Sequence, residues 1–325
     1  LAVVEVTDDC NLSCSYCLAS SGPGGDQRST DEIDALLDTV ASAGGRPIQF
    51  SGGEPTVRDD LPELVASARD RGIDHVEVNT NGIRLATEDG YADALADAGV
   101  TAIYLQFDGL TTETYETIRE VDLLAEKHAA IEACRDAGLP VVLVPTVVPD
   151  VNDHEMGDIV RFALDNRDVI RSVNFQPVAH FGRYATDDGR FAIDTATRLL
   201  ADQIETLDPR DMLPAPCCSA YCQIGTAFVP AGTDPAVPAA GDDVAADGCG
   251  CGDADDDGVD AGTETFVPLT QYVDDRLWDL LSGMVDEGDY MELLAGTAAG
   301  EEWACKTAGC CGVDVPGGVE GLFDE

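Results

Sequence analysis

Apolar positions along the first two-thirds of the chain follow two alternating periods. Short runs rich in β-branched residues read as strands: Ala2–Val6, Pro47–Ser51, His75–Thr80, Ala102–Phe107, Val141–Val147 and Ser172–Pro177. Between them the spacing changes to that of amphipathic helices, at about Thr30–Ala43, Asp60–Arg71, Thr87–Ala98, Leu123–Ala137 and Asp153–Asn166. Ser29 or Thr30 caps the first helix, and Gly44, Gly72, Gly99 and Gly138 stand near helix ends. Strands alternating with helices predict a parallel sheet with right-handed crossovers. Six such units are too few for a closed eight-fold barrel. The expected fold class is therefore α/β, a partial, open (β/α)6 TIM-like barrel with its chemistry at the C-terminal ends of the strands.

The rhythm is lost near residue 185, which divides the chain into a barrel core at 1–185 and a C-terminal extension at 186–325. The extension holds a helical run at Asp194–Thr206, a Gly-, Pro-, Ala- and Asp-rich insertion at 231–265 that reads as solvated, and a further helical run at about Asp274–Leu294. No stretch of 18 apolar residues predicts a spanning helix, and no signal peptide is recognisable. The chain opens on Leu1, directly in a strand pattern, so an upstream segment is expected to be missing.

Charge changes the picture of the surroundings more than of the fold. Asp and Glu total 63 against 18 Lys and Arg, a net charge of −45, and Lys127 and Lys306 are the only lysines. Self-repulsion on this scale needs concentrated counterions, which implies adaptation to a salt-rich, halophilic kind of cytosol. No basic stripe is available for a phosphate backbone, so nucleic acid is excluded as a partner and anionic membrane surfaces are disfavoured.

Twelve cysteines without a secretion signal read as metal ligands before disulfides. Cys10-Asn-Leu-Ser-Cys14-Ser-Tyr-Cys17 follows strand one, and three thiolates at this spacing suit three corners of an iron–sulfur cube. The fourth iron is then open to a small-molecule ligand. Cys134 falls at an apolar helix position and reads as core. Eight cysteines remain, Cys217, Cys218, Cys222, Cys249, Cys251, Cys305, Cys310 and Cys311, the number that two four-cysteine clusters need. Structural zinc or free thiols are the alternatives. Asp253-Ala-Asp-Asp-Asp-Gly258 with Glu264 fits a calcium-loop pattern, a match that an acidic chain also produces by chance.

With Ser51-Gly-Gly-Glu-Pro-Thr56 after the second strand, CxxxCxxC makes the chain resemble the radical S-adenosylmethionine (SAM) superfamily over at least residues 1–180. The resemblance implies a [4Fe–4S] cluster on Cys10, Cys14 and Cys17, SAM on its open iron, and reductive cleavage to a 5′-deoxyadenosyl radical. It implies that Tyr16 packs near the cluster and adenine, and that Gly52, Gly53 and Glu54 meet the methionyl amine. It further implies polar SAM contacts from Asn79, Asn81, Gln106, Asp108 and Thr146, with Gln176 completing the ring. A low-potential donor such as ferredoxin or flavodoxin follows from the same chemistry, and one or two auxiliary iron–sulfur clusters are expected.

More finely, Val142–Val148, Asn152-Asp-His, Gly157–Phe162, Val173–Pro177, Gly182-Arg183 and the Pro214–Cys222 segment look like the archaeal tetraether lipid synthase family. That likeness implies coupling of isoprenoid lipid tails by C–C bond formation, with peripheral access to membrane lipid. Some members of that group carry an upstream cysteine-rich region that this chain lacks. Radical methylation of a pterin-type cofactor, or modification of a peptide or another small molecule, is the alternative. A non-catalytic iron–sulfur electron carrier is a third reading, against which the intact GGEP segment speaks. A lipid enzyme needs a long apolar groove, and a pterin or peptide enzyme a shorter polar pocket.

Overall fold

The computed structural model describes residues 1–45, 47–184, 191–214, 224–231, 265–268 and 270. Six strands form one parallel sheet in the order β1 (Ala2–Thr7), β2 (Ile48–Gly52), β3 (Val76–Thr80), β4 (Ala102–Gln106), β5 (Val141–Val144) and β7 (Ile170–Val173). Beyond β5 and β7, β6 (Thr146–Val147) pairs in parallel with β8 (Gln176–Pro177). The fifth and sixth expected strands are thus each divided in two. Pro145, which has no N–H to donate, separates β5 from β6.

The helices are α1 (Thr30–Ser42), α2 (Leu61–Asp70), α3 (Ile83–Thr87), α4 (Tyr91–Ala98), α5 (Thr112–Arg119), α6 (Leu124–Asp136), α7 (Met156–Asp165) and α8 (Ile193–Gln203). Ser29 closes a capping box on α1: its hydroxyl accepts from the Glu32 N–H, and Glu32 accepts from the Ser29 N–H. The helix expected over Thr87–Ala98 is two helices broken at Glu88-Asp-Gly90. The pattern of apolar positions misses α5, because Tyr115 and Ile118 are the only apolar side chains in its Thr- and Glu-rich run.

The two faces of the sheet are unlike. On one, Val4, Val6, Ile48, Phe50, Val76, Val78, Ile103, Leu105, Val141 and Leu143 are buried in the main core with the helices. On the other, register sets Gln49 beside Glu77, Asn79 beside Tyr104, and Tyr104 beside Val142. Period two adds Ser51 and Gln106 to that face. Polar groups there bond across strands: Gln49 Nε2 donates to Glu77 Oε2 (2.8 Å), Asn79 Nδ2 to Ser51 Oγ (3.3 Å), and Asn174 Nδ2 to the Tyr104 hydroxyl. A parallel sheet covered by helices on both faces carries apolar side chains on both. Here one face is apolar and the other is a polar concave lining, the arrangement of a partial, open (β/α)6 barrel.

The compact unit holding this sheet runs over Leu1–Gln203. Helix α8 is tied to it through Gln203, whose Oε1 accepts from the Gly157 N–H (2.7 Å) and whose Nε2 donates to the Asp153 carbonyl (2.8 Å). A second unit starts at Ile204. Its described strands are two short antiparallel pairs, β9 (Leu213–Pro214) with β10 (Ile224–Gly225) and β11 (Phe228–Pro230) with β12 (Phe266–Pro268). Thr270 donates to Asp211 Oδ1 within this unit (2.6 Å). Cys217, Cys218, Cys222, Cys249, Cys251, Cys305, Cys310 and Cys311 lie outside the described residues, as do the calcium-loop pattern and the 274–294 run. None of the described helices is long and apolar enough to cross a membrane.

Candidate active site at the barrel mouth

Strand β1 delivers the chain into a loop that carries Cys10, Cys14 and Cys17 at the C-terminal end of the sheet. All three pack into one apolar cluster with Leu12, Tyr115 and Leu123. Cys10 Sγ accepts from the Leu12 N–H (3.4 Å). Burial pushes the Cys10 thiol up to about 12, and the neighbouring Glu54, Cys14 and Cys17 push it the same way. Among the described residues, no three His, Cys, Asp or Glu side chains converge to hold a single metal ion. Three thiols gathered in one apolar pocket suit three corners of a metal–sulfur cluster. The residues present therefore fit a cluster.

The loop is clamped from four sides. After β2, the Gly53 N–H donates to the Thr7 carbonyl (2.7 Å) and the Glu54 N–H to the Asp9 carbonyl (2.9 Å). This approach explains the glycine pair: a Cβ on Gly52 (φ +131°) would lie 2.2 Å from the Thr7 carbonyl oxygen, and one on Gly53 2.2 Å from that of Asp9. The space freed by the missing side chains is filled by the chain itself. After β3, Asn81 Nδ2 donates to Asn11 Oδ1 (2.7 Å). From α5, Arg119 donates to the Tyr16 carbonyl (3.3 Å), and its charge is felt by the Cys14 thiol. After β8, Arg183 donates to the carbonyls of Cys14 and Ser21 (2.6 Å each), while its backbone exchanges two hydrogen bonds with Cys17.

The expected SAM contacts separate into two groups. Glu54 is buried, and its carboxylate already accepts four hydrogen bonds: from the Thr56 N–H and hydroxyl, the Thr80 hydroxyl and the Asn81 N–H. Asp108 is fully buried and accepts from Arg119 Nε and a terminal nitrogen (2.7 Å each), the Thr146 N–H and Gln106 Nε2. Burial drives the Asp108 carboxyl up, but Arg119 overrides it and holds it below the usual carboxylate range. These carboxylates lock strand ends together. Thr146 joins them, its hydroxyl accepting from Arg119 (3.1 Å). Asn79 and Gln106, half-buried on the polar face, line the concave side. Tyr16 is buried against Ile118 and Val148, beside the cysteine loop.

Three site residues escaped the sequence reading: Arg119, Lys127 and Arg183. Arg119 and Lys127 are lone cations in helical runs and carry no motif, and Arg183 was read only as part of the Gly182-Arg183 likeness, without a role at the cysteine loop. For Lys127 the only signal was its rarity in a chain with two lysines. Lys127 is fully buried, donates to the Asn81 carbonyl, and sits 5.9 Å from the Tyr115 ring centre. Burial lowers it to about 8, against the pull of Asp108. At the same end of the sheet, a cavity of about 560 Å³ is lined by Pro177, Val178, His180, Phe191 and Ile193, among others.

Fold and site define a partial-barrel protein with a three-thiol pocket at its mouth, built to hold an iron–sulfur cluster. The Radical SAM superfamily model matches residues 4–163. The chain is 41% identical over 225 residues to 7,8-dihydro-6-hydroxymethylpterin dimethyltransferase of Methanocaldococcus jannaschii, covering 66% of this chain and 44% of that one. It is 31% identical over 188 residues to GTP 3′,8-cyclase of Listeria monocytogenes, covering 55% of each. Among solved structures it is similar to Streptococcus suis SuiB bound to precursor peptide SuiA (TM-score 0.53, 15% identity, 61% of this chain and 44% of that one). It is also similar to the [FeFe]-hydrogenase maturase HydG of Carboxydothermus hydrogenoformans (TM-score 0.51, 14% identity, 62% and 50%). These two likenesses concern the fold.

This chain belongs to the radical SAM superfamily, whose enzymes use a [4Fe–4S] cluster and SAM. It spans about half the length of the curated relatives it matches. The narrower expectation, a tetraether lipid synthase, gives way: the named relatives are a pterin dimethyltransferase and GTP cyclases.

Proposed function

We propose that this protein is a radical SAM enzyme that methylates a pterin-type heterocycle, the alternative weighed from sequence, in place of isoprenoid tail coupling. The observation that carries this reading is the polar concave face: Gln49, Ser51, Glu77, Asn79, Tyr104 and Gln106 share one side of the sheet, with Asn174 bonded to Tyr104 there. Two lipid tails would need an apolar groove instead, and this face presents hydrogen-bonded carboxamide, carboxylate and hydroxyl groups. A 2-amino-oxo-pyrimidine edge, common to pterins and guanine, presents donors and acceptors that carboxamides and a tyrosine hydroxyl complement. The 41% identity to a pterin dimethyltransferase supports the same choice.

In this reading Cys10, Cys14 and Cys17 hold the cluster, and Asn79 and Gln106 face the bound molecules. When bound, the cluster and SAM supply one-electron reductive cleavage and a radical able to abstract hydrogen. The chain's own part is orientation and exclusion of water. Glu54 and Asp108 pin the strand ends, Arg119 and Arg183 fix the cysteine loop, and Tyr16 closes one side of it. A low-potential donor such as ferredoxin or flavodoxin delivers the electron, and the charge of −45 suits a salt-rich cytosol.

The test is anaerobic reconstitution with iron and sulfide, followed by SAM, a low-potential reductant and 7,8-dihydro-6-hydroxymethylpterin, with GTP and lipid extracts in parallel. Mass spectrometry should find 5′-deoxyadenosine from the SAM that is cleaved, S-adenosylhomocysteine from a second SAM that gives up its methyl group, the reductant supplying one electron to each, and a pterin carrying added methyl groups. Cyclised GTP or coupled lipid, with the pterin unchanged, rejects the assignment.

A further inference from the structure

We infer that the buried Lys127 ammonium compensates charge beneath the cysteine loop and thereby sets the reduction potential of the cluster that Cys10, Cys14 and Cys17 hold. The inference rests on the radical SAM reading above. Lys127 projects from α6 with no solvent exposure and donates to the Asn81 carbonyl, just past the end of β3. The charged and titratable groups that act on it are Asp108, Arg119, Glu54 and Cys14, and the Tyr115 ring lies over it. Arg119 and Asp108 already form a bidentate pair. Glu54 does not share that pair: its four donors, from Thr56, Thr80 and Asn81, are all neutral. Lys127 is a buried cation whose charge is felt by Glu54 as well as by Asp108, and Glu54 in turn acts on Cys10.

Burying an ammonium is expensive unless something requires its charge. This chain carries a net −45 and one other lysine, so general composition does not account for a lysine at a fully buried position. Reduction adds an electron to the cluster. A negative surround opposes that step, and a nearby buried cation favours it, because screening by salt is weak inside the protein. Lys127 thus acts through the field at the cluster, as a positioning residue for charge.

The experiment uses the full chain, reconstituted anaerobically with iron and sulfide. It follows, by EPR during a redox titration at fixed pH and salt, the [4Fe–4S] signal that changes on adding SAM. Lys127→Met should lower the reduced-to-oxidised ratio at a given potential about tenfold, which for a one-electron couple is about 59 mV. Lys127→Arg, which keeps the charge, should stay near wild type, and Glu54→Gln should move the ratio the other way. A Lys127→Arg shift equal to that of Lys127→Met assigns the effect to packing and overturns the inference. So do unchanged ratios in Lys127→Met and Glu54→Gln. Should Lys127→Met take up no cluster, Glu54→Gln decides alone, a rise supporting the inference and no change overturning it. A wild-type chain with no SAM-responsive signal overturns the radical SAM reading and this inference together, whereas a normal signal with unchanged ratios removes only the inference.

Discussion

Replacing Lys127 with methionine should make the chain prepared without iron more stable, a direction opposite to that of most buried substitutions. Methionine keeps the length and the apolar stem and removes the ammonium. Burial lowers Lys127 from the usual 10.5 to about 8, and each pH unit of that displacement is worth about 1.4 kcal/mol. Holding the ammonium charged at neutral pH thus costs the folded chain about 3 kcal/mol. The variant loses the charge-assisted hydrogen bond to the Asn81 carbonyl, worth about 2 kcal/mol, which leaves a net gain of about 1 kcal/mol. The sign of the pH dependence follows from linkage. Between pH 8 and 10.5 the unfolded chain binds more protons at this position than the folded one, so wild-type stability rises across that window. Lys127→Met lacks that rise, and its advantage fades toward pH 10.5. Denaturant unfolding followed by far-UV circular dichroism, under reducing conditions and at constant salt, measures both. A variant less stable than wild type at pH 7, or a difference that stays flat over the window, refutes the reasoning.

Other outcomes follow from the clamp and the lining. Arg183→Ala removes two charge-assisted hydrogen bonds to the cysteine loop while leaving the sheet intact; iron uptake on reconstitution should fall several-fold with the circular dichroism spectrum unchanged, and full iron content would contradict the clamp. Gly53→Ala places a Cβ 2.2 Å from the Asp9 carbonyl oxygen, where backbone must move; a loss of about 3 kcal/mol or more in unfolding free energy is expected, and a loss below about 1 kcal/mol would show that the β1–β2 approach relaxes easily. Asn174→Leu on the polar face should raise KM for the pterin about tenfold or more with little change in melting temperature; an unchanged KM places the heterocycle elsewhere.

Features that depend on neighbours in the chain were legible before any coordinates. Strand periodicity placed all six main strands, a cap at Ser29 or Thr30 marked the start of α1, where the structure selects Ser29, and CxxxCxxC beside the GGEP segment pointed to the site. Where short-range pattern was weak, the reading failed. Helix α5 is too polar to show a stripe, and Arg119 was lost with it. The glycine pair was assigned to a ligand's approach from its place after β2, whereas its immediate steric reason is the backbone of Thr7–Asp9. Isoprenoid coupling was preferred from segment likeness, because single apolar residues on a strand cannot be sorted into groove and core until their face is known.

Local order along the chain determined the elements, their sequence and the three-thiol motif, since periodicity, capping and ligand spacing are set by bonds a few residues long. Tertiary structure alone decided which polar side chains share the concave face and which cations reach the loop. Arg119 meets the Tyr16 carbonyl across 103 positions, and Arg183 meets that of Cys14 across 169. Contacts at such separations depend on strand register and on the closing of the sheet, and a one-residue slip would turn the polar lining to the other face.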